Sequence, residues 1–170
     1  MNGDIIFHFR LIVFYPDVCN DCPDDLDLVF LLDSSGSIQF MDDKNWRRML
    51  GFVASTVSRL NVERVNVGVM TFSHDVRTDI RLGQYNNRDD LSLAIHSIQY
   101  HGDEAGTDLA LGLGTLVKEM FGGFHEKEEE EVVGIGRQRL VVVVSDGQET
   151  LNLTDVNNTA QQIKQMGIGK

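Results

Sequence analysis

The sequence predicts an α/β fold built on an open, mostly parallel sheet. Three observations predict it. Leu28-Val29-Phe30-Leu31-Leu32 and Leu140-Val141-Val142-Val143-Val144 are unbroken apolar runs, the pattern of strands covered on both faces. Trp46, Leu50, Val53, Val57 and Leu60 step by four, three, four and three residues, which lays one face of a helix on a sheet. Ser73-His74-Asp75 joins two strand-like stretches; it is too short for a parallel crossover, so that pair is an antiparallel hairpin with its second strand at the edge.

Composition bounds the rest. A chain of 170 residues with 42% hydrophobic and 24% charged residues fits one ordinary globular domain. Its formal net charge of -11 argues against nucleic acid and anionic membrane surfaces as partners. Only Cys19 and Cys22 are present, so no disulfide framework holds the fold.

In chain order, Met1 to Tyr15 is apolar but interrupted by Asp4, His8 and Arg10. It fits a secretory leader imperfectly and is too short to span a bilayer. Residues 1–23 are therefore expected to be a leader or linker outside the fold, with the domain running over 24–170. Cys19 and Cys22 form a C-x-x-C with no second pair to complete a zinc site, and read as flanking structural or linker cysteines. Asp42 or Asp43 can cap the helix that follows.

Val65 to Ser73 is a further strand, and Val76 to Leu82 alternates apolar and polar residues as an edge strand does. Asn87 to Ile98 and Thr107 to Met120 carry helical spacing, the second ended by Gly122-Gly123. His74, His96 and His101 read as ordinary residues with nothing to pair them. Asp103 and Glu104 form an acidic loop, and His125 to Glu131 a solvated run of like charge. Asn152 and Asn157 open two N-glycosylation sequons. Val156, Ala160, Ile163 and Met166 mark a last helix.

The chemistry gathers after the apolar strands. Asp33, Ser35 and Ser37 alternate just past the first run, where open α/β sheets hold their ligands. Gly106-Thr107-Asp108 opens a helix, and Ser145-Asp146-Gly147 closes the second run. Two carboxylates and several hydroxyls make a hard oxygen site suited to Mg²⁺, Mn²⁺ or Ca²⁺.

With DLVFLLDSSGSI over Asp27 to Ile38, VGVMTFS over Val67 to Ser73, the GTD at Gly106 and VVVVSDG over Val141 to Gly147, the chain from Asp24 onward resembles the von Willebrand factor type A domain, in its extracellular matrix (collagen- and matrilin-like) branch. The resemblance implies a doubly wound, Rossmann-like sheet, mostly parallel, with one antiparallel edge strand and helices on both faces. It implies that the last strands and helix of the domain lie beyond Lys170, which would leave the second apolar strand as an exposed edge. It also implies a metal-ion-dependent adhesion site at Asp33, Ser35, Ser37, Thr107 and Asp146, each filled by the expected residue type. Leu109 stands where many members have Thr, a departure that bears on ligand preference. The implied function is secreted adhesion: a Mg²⁺, Mn²⁺ or Ca²⁺ ion takes an acidic residue of a matrix partner such as collagen, with no nucleic acid and no membrane insertion. A structural module with an idle site is the alternative. An aspartyl phosphatase would need an acid at Ser35 and a Lys flanking Asp146; a serine hydrolase or P-loop motif is absent.

Overall fold

The computed structural model describes residues 10–14, 25–41, 44–102, 106–122, 137–146 and 161. The elements run β1 (Arg10–Phe14), β2 (Leu26–Asp33), α1 (Gly36–Met41), α2 (Lys44–Val57), β3 (Val65–Phe72), β4 (Val76–Ile80), α3 (Arg88–Ser97), α4 (Leu109–Met120) and β5 (Gln138–Ser145). The expectations for Cys19, Cys22, Asp42, Asp43, Asp103, Glu104, the acidic run and the sequons at Asn152 and Asn157 lie outside the described residues. So does the last helix, apart from Gln161, which is helical.

The sheet order is β1-β5-β2-β3-β4. β2 pairs in parallel with β3 on one side and with β5 on the other. β4 pairs antiparallel with β3 at one edge, as the short Ser73–Asp75 connection requires. β2 therefore sits where the winding reverses, and the carboxyl ends of β2, β3 and β5 share one edge of the sheet.

Two layers of side chains cover the sheet. On one face, Trp46, Met49, Leu50, Val53 and Val57 of α2 and Leu91 and Ile95 of α3 pack on Leu28, Phe30 and Leu32. On the other, Leu109, Leu113, Leu116 and Val117 of α4 pack on Val29, Leu31, Met70 and Phe72. Alternate residues of β2 enter opposite cores, which is why the run is apolar throughout. At the amino-terminal edge, the Arg137 guanidinium donates to Asp27 Oδ1 at 2.7 Å and to the carbonyls of Leu26 and Arg64 at 2.9 and 2.8 Å, tying β2, β3 and β5 together.

Residues 10–14 depart from the expectation that 1–23 stays outside the fold. They form β1 and pair antiparallel with β5, from Arg10 opposite Ser145 to Phe14 opposite Val141. β5 is consequently not an exposed edge: β1 supplies partners for backbone groups that an edge strand leaves open. The apolar Leu11-Ile12-Val13-Phe14 run reads equally as leader core or as strand; in the structure it is a strand beside β5.

Candidate metal centre

Asp33 ends β2 and is 1% exposed. Its Oδ1 accepts the Ser35 amide at 2.8 Å, and its Oδ2 accepts the Ser145 hydroxyl at 2.8 Å. The intervening Ser34 turns away: its amide and hydroxyl both donate to the Phe72 carbonyl, at 2.7 and 3.0 Å. That alternation brings Ser35 and Ser37 to the same side, with their hydroxyl oxygens 3.1 Å apart. Ser37 lies in the first turn of α1.

The parallel register carries the second carboxylate to the first. Leu32 lies opposite Val144, so Asp146, one residue past β5, reaches the same sheet edge as Asp33. Its Oδ2 is withdrawn from solvent. Thr107 follows Gly106, whose φ of 118° is a conformation that glycine adopts without strain. The Asp108 amide donates to the Ser73 carbonyl at 2.8 Å, and its carboxylate caps α4 by accepting from the Leu111 amide at 2.8 Å. Thr107 is thus set at the end of β3, beside β2.

Burial pushes the Asp33 carboxyl above its ordinary value of 3.8; hydrogen bonds from Ser35 and Ser145 pull it down, and the charge of Asp146 pushes it up again. Among the described residues no Lys, Arg or His forms an ion pair with Asp33. A buried carboxylate facing a second one is unfavourable without a compensating cation. The donor set is all oxygen, which suits Mg²⁺, Mn²⁺ or Ca²⁺. Among the described residues no three His, Cys, Asp or Glu side chains form a metal-holding cluster; the set here has two carboxylates and leaves the remaining positions to hydroxyls. The residues fit a hard divalent cation.

Four residues that the sequence reading left without a role brace this loop. Ser145 holds Asp33 as above. The Tyr100 hydroxyl donates to the Ser35 carbonyl at 2.9 Å. A Cβ on Gly102 would lie 1.2 Å from the Ser34 carbonyl oxygen, so only glycine fits against that peptide. His101, expected to be unpaired, places Nε2 against Thr71 Oγ1 and 3.4 Å from Ser34 Oγ, with Nδ1 3.6 Å from Asp75 Oδ1. Burial holds its pKa below the ordinary 6.5, Arg77 adds to that, and Asp75 and Asp79 oppose it. The only signal in the sequence was a Tyr-His-Gly string between a helix and the GTD turn. Ser34, His101 and Asp75 have the residue types of a nucleophile relay, but Ser34 is fully buried and its hydroxyl proton goes to Phe72.

The family model described as the von Willebrand factor type A domain matches residues 27–169. The chain is 31% identical to the transmembrane cell adhesion receptor mua-3 of Caenorhabditis elegans over 139 residues, 81% of this chain and 4% of that protein. It is 29% identical to matrilin-1 of Gallus gallus over 140 residues, 81% of this chain and 26% of that protein. It therefore spans about a quarter or less of these relatives' lengths. Its fold is similar to that of proximal thread matrix protein 1 from the mussel byssus, with a TM-score of 0.70 and 23% identity over 86% of this chain and 37% of that one. A further structure of that mussel protein, with a TM-score of 0.59 and 18% identity over 87% of this chain and 48% of that one, is described as having a zinc-occupied MIDAS motif.

Proposed function

Since the chain belongs to the von Willebrand factor type A domain family, we propose that it is an extracellular adhesion module that takes a carboxylate of a matrix protein through a divalent cation. Asp33, Ser35, Ser37, Thr107 and Asp146 are the residues that would hold the ion. The observation that carries this reading is the buried Asp33 carboxylate, with Asp146 acting on it and hydroxyls around it. When bound, the cation supplies an open coordination position for an anionic group. Two carboxylates balance a divalent charge and the hydroxyls add none, so the site keeps its attraction for an acidic partner. Asp33 is oriented by Ser35 and Ser145, and the loop is held by Tyr100 and Gly102, so the oxygens are arranged before any ion arrives.

The relatives' adhesion and matrix roles support an extracellular setting and a protein ligand, collagen among the candidates. The mussel protein's zinc supports a divalent ion, and the oxygen-only donors favour Mg²⁺ or Mn²⁺ over zinc here. Calorimetric titration with Mg²⁺ and Mn²⁺, beside an Asp33→Ala/Asp146→Ala variant, tests the reading. Saturable uptake by the wild type and none by the variant is the expected result. A folded wild type that takes up neither ion would sink the metal reading and leave a structural matrix module.

A further inference from the structure

An open groove of about 580 Å³ lies between α2 and α3. Leu50 and Ile98 line it and are 3% and 7% exposed. Trp46 and Tyr100 form a wall, their rings edge to face at 5.6 Å and 73°. Trp46 is fixed there by its indole N–H, which donates to the Ile98 carbonyl at 3.1 Å. Among the described residues the polar lining is Arg47, His96 and Gln99, with no carboxylate. In a chain of net charge -11, this groove offers a cation over an apolar floor. Arg47 is exposed, and its side chain makes no ion pair or hydrogen bond among the described residues. One side chain links the groove to the metal loop: Tyr100 lines the groove and donates to the Ser35 carbonyl at 2.9 Å.

We propose that the groove receives an extended acidic segment of the partner protein, the same segment whose carboxylate is taken at the metal centre; this rests on the reading above. An apolar side chain of that segment lies against the half-buried Tyr100 ring, and a second carboxylate pairs with Arg47. Charge complementarity selects the occupant: acidic residues elsewhere on the chain repel an acidic peptide, and Arg47 attracts it beside an apolar floor. The groove would give the module a preference among acidic ligands that a metal ion alone does not supply.

Trp46 is the chain's only tryptophan, so its fluorescence reports occupation of the groove. The probe is a synthetic peptide with two glutamates flanking a leucine, titrated into the Mg²⁺-loaded chain, beside the same peptide with glutamine for the second glutamate. The expected result is a saturable change in Trp46 emission. Arg47→Ala should weaken binding about two- to fivefold, the range of an exposed ion pair, and Arg47→Glu should weaken it more. The glutamine peptide should lose the difference between wild type and Arg47→Ala, the mark of a direct pair. Mg²⁺ uptake by calorimetry should be the same in the Arg47 variants. Metal-dependent peptide binding that leaves Trp46 silent, or that Arg47→Glu leaves undiminished, overturns the groove and spares the metal reading. A Trp46 response that persists in Asp33→Ala overturns the coupling of groove to metal centre. Absence of Mg²⁺ uptake by the wild type removes the shared premise and overturns both.

Discussion

Substituting Gly102→Ala tests the bracing of the metal loop without reference to any ligand. The added Cβ would lie 1.2 Å from the Ser34 carbonyl oxygen, 2.4 Å from its carbon and 2.9 Å from the Tyr100 hydroxyl. Restoring ordinary contact separates the two backbones by about 2 Å. A shift of that size breaks the Tyr100–Ser35 bond and the approach of His101 to Ser34. Overpacking costs about 1–3 kcal/mol, and each lost hydrogen bond about 1 kcal/mol. The expected loss is about 2–5 kcal/mol, or roughly 4–20 °C in Tm for a chain of this size. Calorimetric melting measures it, and Mg²⁺ affinity should fall in parallel as Ser35 moves. Gly51→Ala is the control: nothing lies within 4 Å of its Cβ and it is inside α2, so alanine should stabilise by about 0.5–1 kcal/mol. A Gly102→Ala protein within about 0.5 kcal/mol of wild type would refute the packing argument.

Asp33→Asn should abolish Mg²⁺ uptake yet stabilise the ion-free protein at neutral pH. Burial raises the folded-state pKa of Asp33, so the folded chain keeps that proton longer than the unfolded one, and stability falls as pH rises through the raised value. Denaturation in chelator at several pH values should show that slope in the wild type and not in Asp33→Asn. A wild type more stable than the variant at neutral pH, without metal, contradicts this. His101 has the opposite sign: its folded pKa is lowered, so its contribution is present above the ordinary 6.5 and is lost as pH falls from there through the folded value. His101→Gln should remove that acid-side loss, read from urea midpoints against pH. Ser145→Ala removes the hydroxyl from Asp33 Oδ2; it should destabilise by about 1.5–3 kcal/mol at neutral pH and move the pH midpoint of Mg²⁺ uptake upward, both by titration.

Most of the site's residue types were legible because strand period and chain order impose them. Apolar β2 and β5 had to lie inside the sheet, and polar residues that follow such strands come out at its carboxyl edge. Asp33 ends β2, Ser35 and Ser37 follow it, and Asp146 follows β5. The helix stripes were legible too, since Trp46, Leu50, Val53 and Val57 all face the core. The braces were not. Ser145, Tyr100, His101 and Gly102 act on residues 112, 65, 67 and 68 positions away, and no local pattern encodes such a contact. The short apolar run Leu11–Phe14 carries no instruction about its partner either, so it looked like leader, whereas residues 10–14 pair with β5.

The sequence by itself determined the α/β class, the hairpin at Ser73–Asp75 and the oxygen donors of one edge. These follow from periodicity, connection length and side-chain chemistry, which are local properties. Tertiary structure decided that β1 pairs with β5, that Asp33 is buried against the charge of Asp146, and that a groove lined by Trp46, Arg47 and Tyr100 opens between α2 and α3. Those depend on which backbones approach which, and on how much water is left between them.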